Sequence, residues 1–491
     1  MPRILRGSVL IVALALAGCP KNDGHDPQNG TAEPAASSAS SASSSAKSGE
    51  PAGIAFDKGD FELAAAEYAK QIESGPAEGQ PRARVRLAQC FDRLGLPRVA
   101  FSMLEETVAA NPSQEGFRAL AAVAVKLPGV ESGRGFMGFS AEQRKAELGS
   151  LGKDTAARVH YLVGRELTGK GELEAAIGEY DLVEGDLAIK ANIQAGLVWV
   201  QLHKAVPAVE RFDKAISLAE GKKDAEAQRL SDLAKLQKAR VYYTASFTTS
   251  KDDPKKITHD EVKLSTAVKY FRDIQPTSES FRDAAGGLAW ALYAAGDYKG
   301  ALDAIAAATQ DKNAYEPEVE LLASTVLWSM KDDKKATAAV DAFLAEYEPL
   351  AAALSARAAE LDKAAESPSG IAWPLDKPGS SDLARALGDA LGGRDLKALL
   401  DDLALLDGEN AAAGKLSAAL RTSPAGGMLT EALDALRADE KKRLSALVVA
   451  RVHRAEEELA GFVEQAKVAK DAAKKPAGKS TPAKTPPKKS K

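Results

Sequence analysis

The sequence predicts an all-α fold, a solenoid of stacked helix pairs followed by a C-terminal helical region, and three observations carry that prediction. Aromatic residues make up only 5% of a chain that is 45% hydrophobic, and alanine is abundant. Small, helix-favouring side chains suit close helix-on-helix packing, whereas sheets need the branched and aromatic residues that are scarce. A glycine-centred pattern returns at intervals close to 34 residues, and the apolar positions between its anchors follow helical rather than alternating spacing. With 491 residues the chain can form two or three ordinary domains or one long repeat array.

Residues 1–18 read as an export leader. Arg3 and Arg6 precede an apolar core from Ser8 to Leu16, too short to cross ~30 Å of hydrocarbon. The run Leu16-Ala17-Gly18-Cys19 resembles a bacterial lipoprotein signal. The resemblance implies cleavage before Cys19, a diacylglycerol thioether on its sulfur and an acylated amino terminus. Several acyl chains, at ~0.8 kcal/mol per buried CH₂, would anchor the chain firmly outside the cytoplasm. Pro20 is not the Asp associated with inner-membrane retention, which favours the cell envelope at the periplasmic face of the outer membrane. The bland alternative is simple secretion with Cys19 incidental. From Cys19 to residue 52 the chain is a Ser/Ala-rich linker that cannot bury a core. As a disordered segment it would span about 30 Å on average and about 110 Å when pulled straight.

The repeats occupy residues 53–350. Gly59-Asp60-Phe61 is followed by Ala64, Tyr68 and Pro76, and Gly95 is followed at the same offsets by Ala100, Leu104 and Pro112. Gly171 precedes Ala176 and Tyr180, His203 takes the glycine position before Ala208 and Phe212, Gly296-Asp297-Tyr298 precedes Ala301 and Ile305, and Lys331 precedes Ala336 and Val340. Glycine at the turn can take φ > 0, alanine lets two helices approach, and the larger residue four positions on fills the gap between neighbours. Ahead of the turns stand Ala88 and Phe91, Gly164 and Leu167, Gly196 and Trp199, and Ala289 and Leu292, which predicts one continuous apolar spine. These residues resemble the tetratricopeptide repeat (TPR). Residues 114–152 and 223–275 read as degenerate repeats, the first broken by Leu127-Pro128-Gly129 and a Gly-rich loop, the second by a polar insertion from Thr248 to Thr258.

In this repeat class the first helix of each pair lines the inner surface. That places Arg82, Gln89, Asp92 and Arg93, then Arg158, Tyr161 and Arg165, then Asp283, Trp290 and Tyr293, and finally Trp328 along a candidate groove that turns from basic and polar to aromatic. Arginines and flat rings can anchor an extended protein segment through charge-assisted hydrogen bonds and packing. The competing reading puts Trp290 and Trp328 in the spine and leaves the arginines solvated.

After residue 350 the period is lost. Gly370-Ile371-Ala372-Trp373-Pro374 with Lys377-Pro378-Gly379 reads as a linker turn before amphipathic segments near 381–391, 395–406, 409–421 and 427–436. A longer helix from about 438 to 470 carries Leu444, Leu447, Val448, Val452, Leu459, Phe462 and Val463 at helical spacing. The C-terminal helical region is thus expected over 351–466, and a disordered Lys/Pro-rich tail over 467–491. That tail holds nine Lys against Asp471, a balance of +8, so the rest of a chain at −4 overall carries −12. Export would separate the tail from nucleic acid and leave anionic lipid or an acidic envelope polymer as its partner, with plain solvation as the alternative.

No catalytic chemistry is expected. Gly133-Arg134-Gly135-Phe136-Met137-Gly138 fits the spacing of a dinucleotide loop but follows a helical stretch instead of a strand, and Ser140 with Gln143 reads as a capping box for the next helix. No phosphate-loop, zinc-protease or nucleophile-elbow motif is present. The five histidines are scattered without metal-ligand spacing, and Cys90 reads as a small core residue, so neither cofactor nor metal is expected.

The block from Ala267-Val268-Lys269-Tyr270-Phe271 through Ser280-Phe281-Arg282-Asp283-Ala284 and Trp290-Ala291-Leu292-Tyr293 to Tyr315-Glu316-Pro317-Glu318 and Phe343-Leu344-Ala345-Glu346-Tyr347 is similar to the adventurous gliding motility TPR lipoproteins (GltE-like). The similarity covers residues 230–470, although Gly286-Gly287-Leu288-Ala289 carries small residues where that family has aromatics. It implies an outer-membrane lipoprotein that helps build the envelope part of a motility complex, and the anchor, spacer and repeat array together lead to the expectation of a non-catalytic scaffold that binds envelope proteins through its groove. An assembly factor for outer-membrane protein insertion or polysaccharide export is the alternative, and an envelope enzyme ranks last.

Overall fold

Six chain reversals of one geometry organise the molecule, and each falls where the sequence pattern puts a turn. The structure is a computed structural model describing residues 51–249, 257–311, 315–367, 370–375 and 380–474. The leader, Cys19, the linker through residue 50, the tail from residue 475 and the turn Lys377-Pro378-Gly379 lie outside the described residues; residues 467–474, expected in the disordered tail, continue the last helix, and Pro51 and Ala52, expected in the linker, begin the first. At the reversals, Gly59, Gly95, Gly171, His203, Gly296 and Lys331 all have left-handed backbones, with φ between 56° and 83°. The next residue's N–H then bonds to a carbonyl five residues back: Asp60 to Ala55, Leu96 to Phe91, Glu172 to Leu167, Lys204 to Trp199, Asp297 to Leu292 and Asp332 to Leu327, all at 2.9–3.0 Å. This bond satisfies a carbonyl that would otherwise be orphaned at the end of the first helix. His203 and Lys331 adopt the glycine conformation despite its cost of ~1–2 kcal/mol for a residue with a Cβ.

The helices run in chain order as α1 (Pro51–Asp57), α2 (Phe61–Ser74), α3 (Gln80–Arg93), α4 (Pro97–Ala110), α5 (Gln114–Ala124), α6 (Ala141–Leu148), α7 (Lys153–Lys170), α8 (Leu173–Asp181), α9 (Ala188–Gln201), α10 (Ala205–Ala219) and α11 (Ala225–Ser246). A hairpin of β1 (Phe247–Thr249) and β2 (Ile257–His259) follows, then α12 (Glu261–Arg272), α13 (Phe281–Ala294), α14 (Tyr298–Ala308), α15 (Pro317–Ser329), α16 (Asp333–Ala365), α17 (Ser381–Leu391), α18 (Arg394–Ala413), α19 (Ala418–Arg421) and α20 (Pro424–Lys474). The fold is all-α, with TPR-type helix pairs. The short antiparallel hairpin, pairing Thr248 with Thr258, is a feature that helical patterning alone did not predict. Two compact units divide the described residues: those up to 234 with 394–444, and those from 235 to 393 with 445 onwards.

In the first unit the pairs are α1–α2, α3–α4, α7–α8 and α9–α10. Ala64, Tyr68, Ala100, Leu104, Ala176, Tyr180, Ala208 and Phe212 are all buried, as the turn-relative offsets require. Glycine in the first helix is a packing requirement: a Cβ on Gly164 would stand 2.7 Å from the Tyr180 ring, and one on Gly196 would stand 2.5 Å from Phe212. The third pair is incomplete. After α5 the expected second helix is replaced by a 3-10 turn, Arg134–Gly138, whose Phe136 is fully buried and meets Phe117 edge-on with ring centroids 5.2 Å apart. A Cβ on Gly133 would collide with the Leu162 carbonyl, and one on Gly135 with the Leu120 side chain, so these glycines serve close packing. The Ser140–Gln143 capping box is present at the start of α6. Cys90 is buried in the same core, and burial pushes its thiol up to about 12.

The C-terminal region differs from its sequence reading. The boundary expected near 350 lies inside α16, which continues past Pro349 to Ala365, with Leu350, Leu354, Ala358 and Leu361 buried. Segments expected separately at 427–436 and 438–470 form one helix of 51 residues, and those at 395–406 and 409–421 regroup as α18 and α19. Residues 394–444 return to the first unit, where α18 packs on α4 and α19 on α2, and Leu406, Leu420, Leu429 and Leu433 join the repeat core. Hydrophobic spacing marks which residues of a helix are buried but not which distant helix receives them.

A polar cluster fixes that return. The second helices α2, α14 and α16 are capped by their own Asp60, Asp297 and Asp332 side chains, but α4 has Leu96 at that position and no side-chain cap of its own. Glu409 of α18 supplies it, accepting the Arg98 N–H at 2.6 Å and the Val99 N–H at 3.1 Å. The Arg98 guanidinium meets Asp402 at 2.9 Å and Glu440 at 3.2 Å.

Two stability results follow. His203→Gly and Lys331→Gly should each raise stability by about 0.5–1 kcal/mol, because relief of the left-handed strain exceeds the extra entropy glycine gives the unfolded chain; denaturant midpoints no higher than wild type would refute this. Glu409→Ala should cost about 1–2 kcal/mol, the value of an N-cap, and Glu409→Gln less. In hydrogen exchange, protection should fall at the first turn of α4 and along α18.

Candidate partner-binding surfaces

The first helix of each pair presents its inward side chains, and the two units differ in what they display. In the first unit, Arg82 is exposed with its Nε 3.5 Å from Glu115, and Arg86 engages the same carboxylate. Asp92 accepts from Lys126 at 2.7 Å, Arg93 is exposed, and half-buried Gln89 has an amide oxygen with no partner. Arg165 pairs with Glu131 at 2.6 Å, and Lys190 reaches that carboxylate at 3.2 Å.

Two of the expected groove residues are not on the surface. Arg158 is buried and donates to the carbonyls of Ala124, Leu127, Pro128 and Val130, so its charge fastens the loop after α5. Tyr161 is buried among the helices, with the Lys190 ammonium 5.2 Å from its ring centroid. The arginines are therefore neither uniformly solvated nor uniformly available: Arg82 and Arg165 form ion pairs, Arg158 is held by carbonyls, and Arg93 is exposed. The residues missed by sequence reasoning are Glu115 and Glu131, each shared by two cations. They lie outside the turn-relative frame, which gives no signal for them.

In the second unit the expected aromatic residues lie near one another. Trp290 and Tyr293 are half-buried with ring centroids 6.2 Å apart, Tyr293 lies 6.0 Å from Tyr298, and the Ser329 hydroxyl beside Trp328 donates to the Tyr293 oxygen at 3.4 Å. These rings pack on a core formed by Ala289, Leu292, Ala301, Ile305, Leu322 and Val326. Each residue is thus part spine and part surface, which reconciles the two sequence readings.

This face is more acidic than its aromatic character suggested. Glu316, Glu318 and Glu320 stand at the start of α15, with Asp283 and Asp389 nearby. Burial pushes the Glu316 carboxyl up to about 8, with Asp283 and Asp389 adding to the rise and Arg282 opposing it. Burial also raises Glu318 and Glu320, opposed in the first by the Trp290 indole and in the second by the Tyr347 hydroxyl, which donates at 2.9 Å. The sequence signal was available in Glu316-Pro317-Glu318-Val319-Glu320, where a helix N-terminus favours acids.

Among the described residues no group of His, Cys, Asp and Glu has the geometry to hold a metal ion, and no helix is long and apolar enough to cross a membrane. His160 and His453 contact the carboxylates of Glu179 and Asp362.

The chain matches no protein-family profile and no curated protein. Among solved structures it is similar to a tetratricopeptide repeat protein from Parabacteroides merdae, at 13% identity over 60% of this chain and 89% of that one, with a TM-score of 0.26. A Rap protein complexed with competence and sporulation factor aligns at 14% identity over 79% of this chain and 100% of that one, with a TM-score of 0.26. The APC/C hetero-tetramer Cut9–Hcn1 aligns at 13% identity over 86% and 95%, with a TM-score of 0.17. The helix pairs themselves are of the TPR type. That assignment rests on the six turns and their buried alanine and large-residue positions.

The raised carboxyls give the second unit a defined pH response. A carboxyl whose folded pKa lies above its unfolded one contributes stability fully present below the unfolded value and lost as the pH rises through the folded value. Glu316 therefore stabilises the unit most fully below about 4.5 and progressively less as the pH passes about 8. Urea midpoints for α13–α15, followed by hydrogen exchange, should fall from pH 6 to pH 9. Glu316→Gln should flatten the slope.

Proposed function

We propose that this chain is a non-catalytic scaffold of the cell envelope, tethered by lipid on Cys19, whose helix pairs bind protein partners along their inward faces. The observation that carries the reading is the half-buried aromatic group of the second unit: Trp290 and Tyr293 on α13 and Trp328 on α15, with Tyr293 and Trp328 each three residues before the turn. Flat rings with one buried and one exposed edge provide large contact area at little entropic cost. The first unit contributes Arg82 and Arg93, whose exposed guanidiniums suit carboxylates of an extended segment.

The lipobox supports the anchor, and the Ser/Ala-rich linker would let the folded units stand off from the membrane. The similarity of residues 230–470 to gliding-motility lipoproteins supports an envelope complex of that kind as the setting, at the periplasmic face of the outer membrane. The basic tail would add a contact with anionic lipid or polymer.

Radiolabelled palmitate should enter the wild-type chain, while Cys19→Ser should lose the label and move to the soluble fraction. Label retained by Cys19→Ser would overturn the anchor. Combined Trp290→Ala, Tyr293→Ala and Trp328→Ala should release proteins cross-linked to the wild-type chain in intact envelopes, and a variant that stays helical yet keeps the same partners would overturn the aromatic face as the docking surface.

A further inference from the structure

We propose that the acidic face of the second unit binds the lysine-rich C-terminal segment of this same chain, residues 475–491, by taking a lysine ammonium between Glu316, Asp389 and the Tyr315 hydroxyl. The inference goes beyond the scaffold reading and stands without the lipid anchor or any partner.

Five carboxylates gather on this face: Asp283 of α13, Glu316 before α15, Glu318 within it, Asp389 of α17 and Glu458 of α20. Among the described residues Arg240, Arg282, Arg385 and Arg454 lie near them. Arg240 is held by Asp283 at 3.0 Å and Arg454 by Glu458 at 2.8 Å. Arg282 is spread over three acids, 3.7 Å from Glu316, 3.8 Å from Asp311 and 3.9 Å from Asp389, within hydrogen-bond distance of none. Among the described residues Glu316 and Glu318 are half-buried with their carboxyls raised, while Asp283, Asp389 and Glu458 are exposed, and a further cation would favour the ionised form of the half-buried pair.

A second observation, independent of the charge count, points to a ligand. Tyr315 is 8% exposed, and its hydroxyl has no hydrogen-bond partner. It faces Asp389 and Glu458, while its ring packs 6.2 Å from Tyr347. Buried hydroxyls are ordinarily satisfied. An ammonium has three donors and a long apolar stem, so it can reach a recessed phenol oxygen and two carboxylates together.

The chain itself carries such a cation within reach. Residues 475–491 contain Lys475, Lys479, Lys484, Lys488, Lys489 and Lys491 and no acid. They leave α20 at Lys474, sixteen residues beyond Glu458 on the same helix, or about 24 Å at 1.5 Å per residue. Seventeen residues can span up to about 55–60 Å, so Lys484 and the lysines after it can return to the face. The same lysines cannot simultaneously neutralise an anionic membrane surface, so docking on the face and docking on lipid would compete.

Zero-length carbodiimide cross-linking of the full chain, read by mass spectrometry, should join Lys484, Lys488, Lys489 or Lys491 to Glu316, Asp389 or Glu458 within one molecule. Yield should fall severalfold in Glu316→Gln/Asp389→Asn and in high salt. Tail links scattered over other carboxylates, confined to a second copy, or undiminished in that variant would overturn the proposal. A full chain with those four lysines replaced by glutamine leaves the folded units untouched. Hydrogen exchange across 315–322 should quicken severalfold in it, and an unchanged rate would also overturn the proposal.

Discussion

Everything else in these units depends on the left-handed reversal that joins the two helices of a pair. It returns the second helix antiparallel to the first at a distance set by an alanine, and it does so through one backbone bond five residues back, regardless of the residue at the turn. Because that bond is made by the main chain, His203 and Lys331 can occupy the turn with only local strain, while the packing residues around it are held more tightly. Gly164 and Gly196 show the limit of tolerance: the Tyr180 and Phe212 rings fill the space a Cβ would need. The element that recurs along the chain is thus a shape, a close approach filled by one large side chain, more than a residue list.

Where the repeat departs from its pattern, the departures are repaired by groups far away in sequence. Helix α4 has Leu96 where α2, α14 and α16 have a capping aspartate, and Leu96 is itself fully buried. An apolar N-cap position leaves the first N–H groups of the helix in a buried setting without acceptors, which is costly. Glu409 fills that vacancy and in doing so fixes α18 on the second helices of the first unit. Asp402 and Glu440 complete the arrangement around Arg98. A missing local cap and a long-range contact are therefore one feature, and the C-terminal helices contribute to the first unit what its own repeat lacks.

The paired helices were legible because their signal is local: turn residue, alanine and larger residue lie within nine positions of one another, so Gly59-Ala64-Tyr68 and Lys331-Ala336-Val340 could be read without tertiary knowledge. The β-hairpin around Thr248 and Thr258 was not, since three residues per strand carry too little alternation to register against a helical background. The C-terminal boundaries failed for a different reason. Gly414 and Pro424 do mark breaks, but Pro349 lies within α16, and nothing local separates 436 from 438 within α20. Among the groove residues, Arg82 is exposed, and Trp290 and Tyr293 are half-buried. For Arg158 and Tyr161 an inward position became an interior one, because the loop Leu127–Val130 closes over them and takes the guanidinium as its anchor. That closure depends on the 3-10 turn replacing a second helix, a substitution that period-based reading cannot see.

A spine built from alanine and glycine has a further consequence for recognition. Small residues bring the helices close together, so each inward face is narrow and the long side chains on it reach the adjacent repeat. In the first unit this produces shared carboxylates, Glu115 with Arg82 and Arg86, Glu131 with Arg165 and Lys190, so the charges there are largely spent on one another. In the second unit the acids gather without equal compensation, and the aromatic rings beside them lower the local dielectric. Exposed ion pairs contribute little to affinity, whereas partly buried carboxyls held near neutrality change their ionisation when a cation arrives. Selectivity on the acidic face should therefore come from the charge of the incoming segment, and its retention from the area of Trp290 and Tyr293. A segment offering only one of the two would meet either an uncompensated cluster of acids or rings with nothing to cover them.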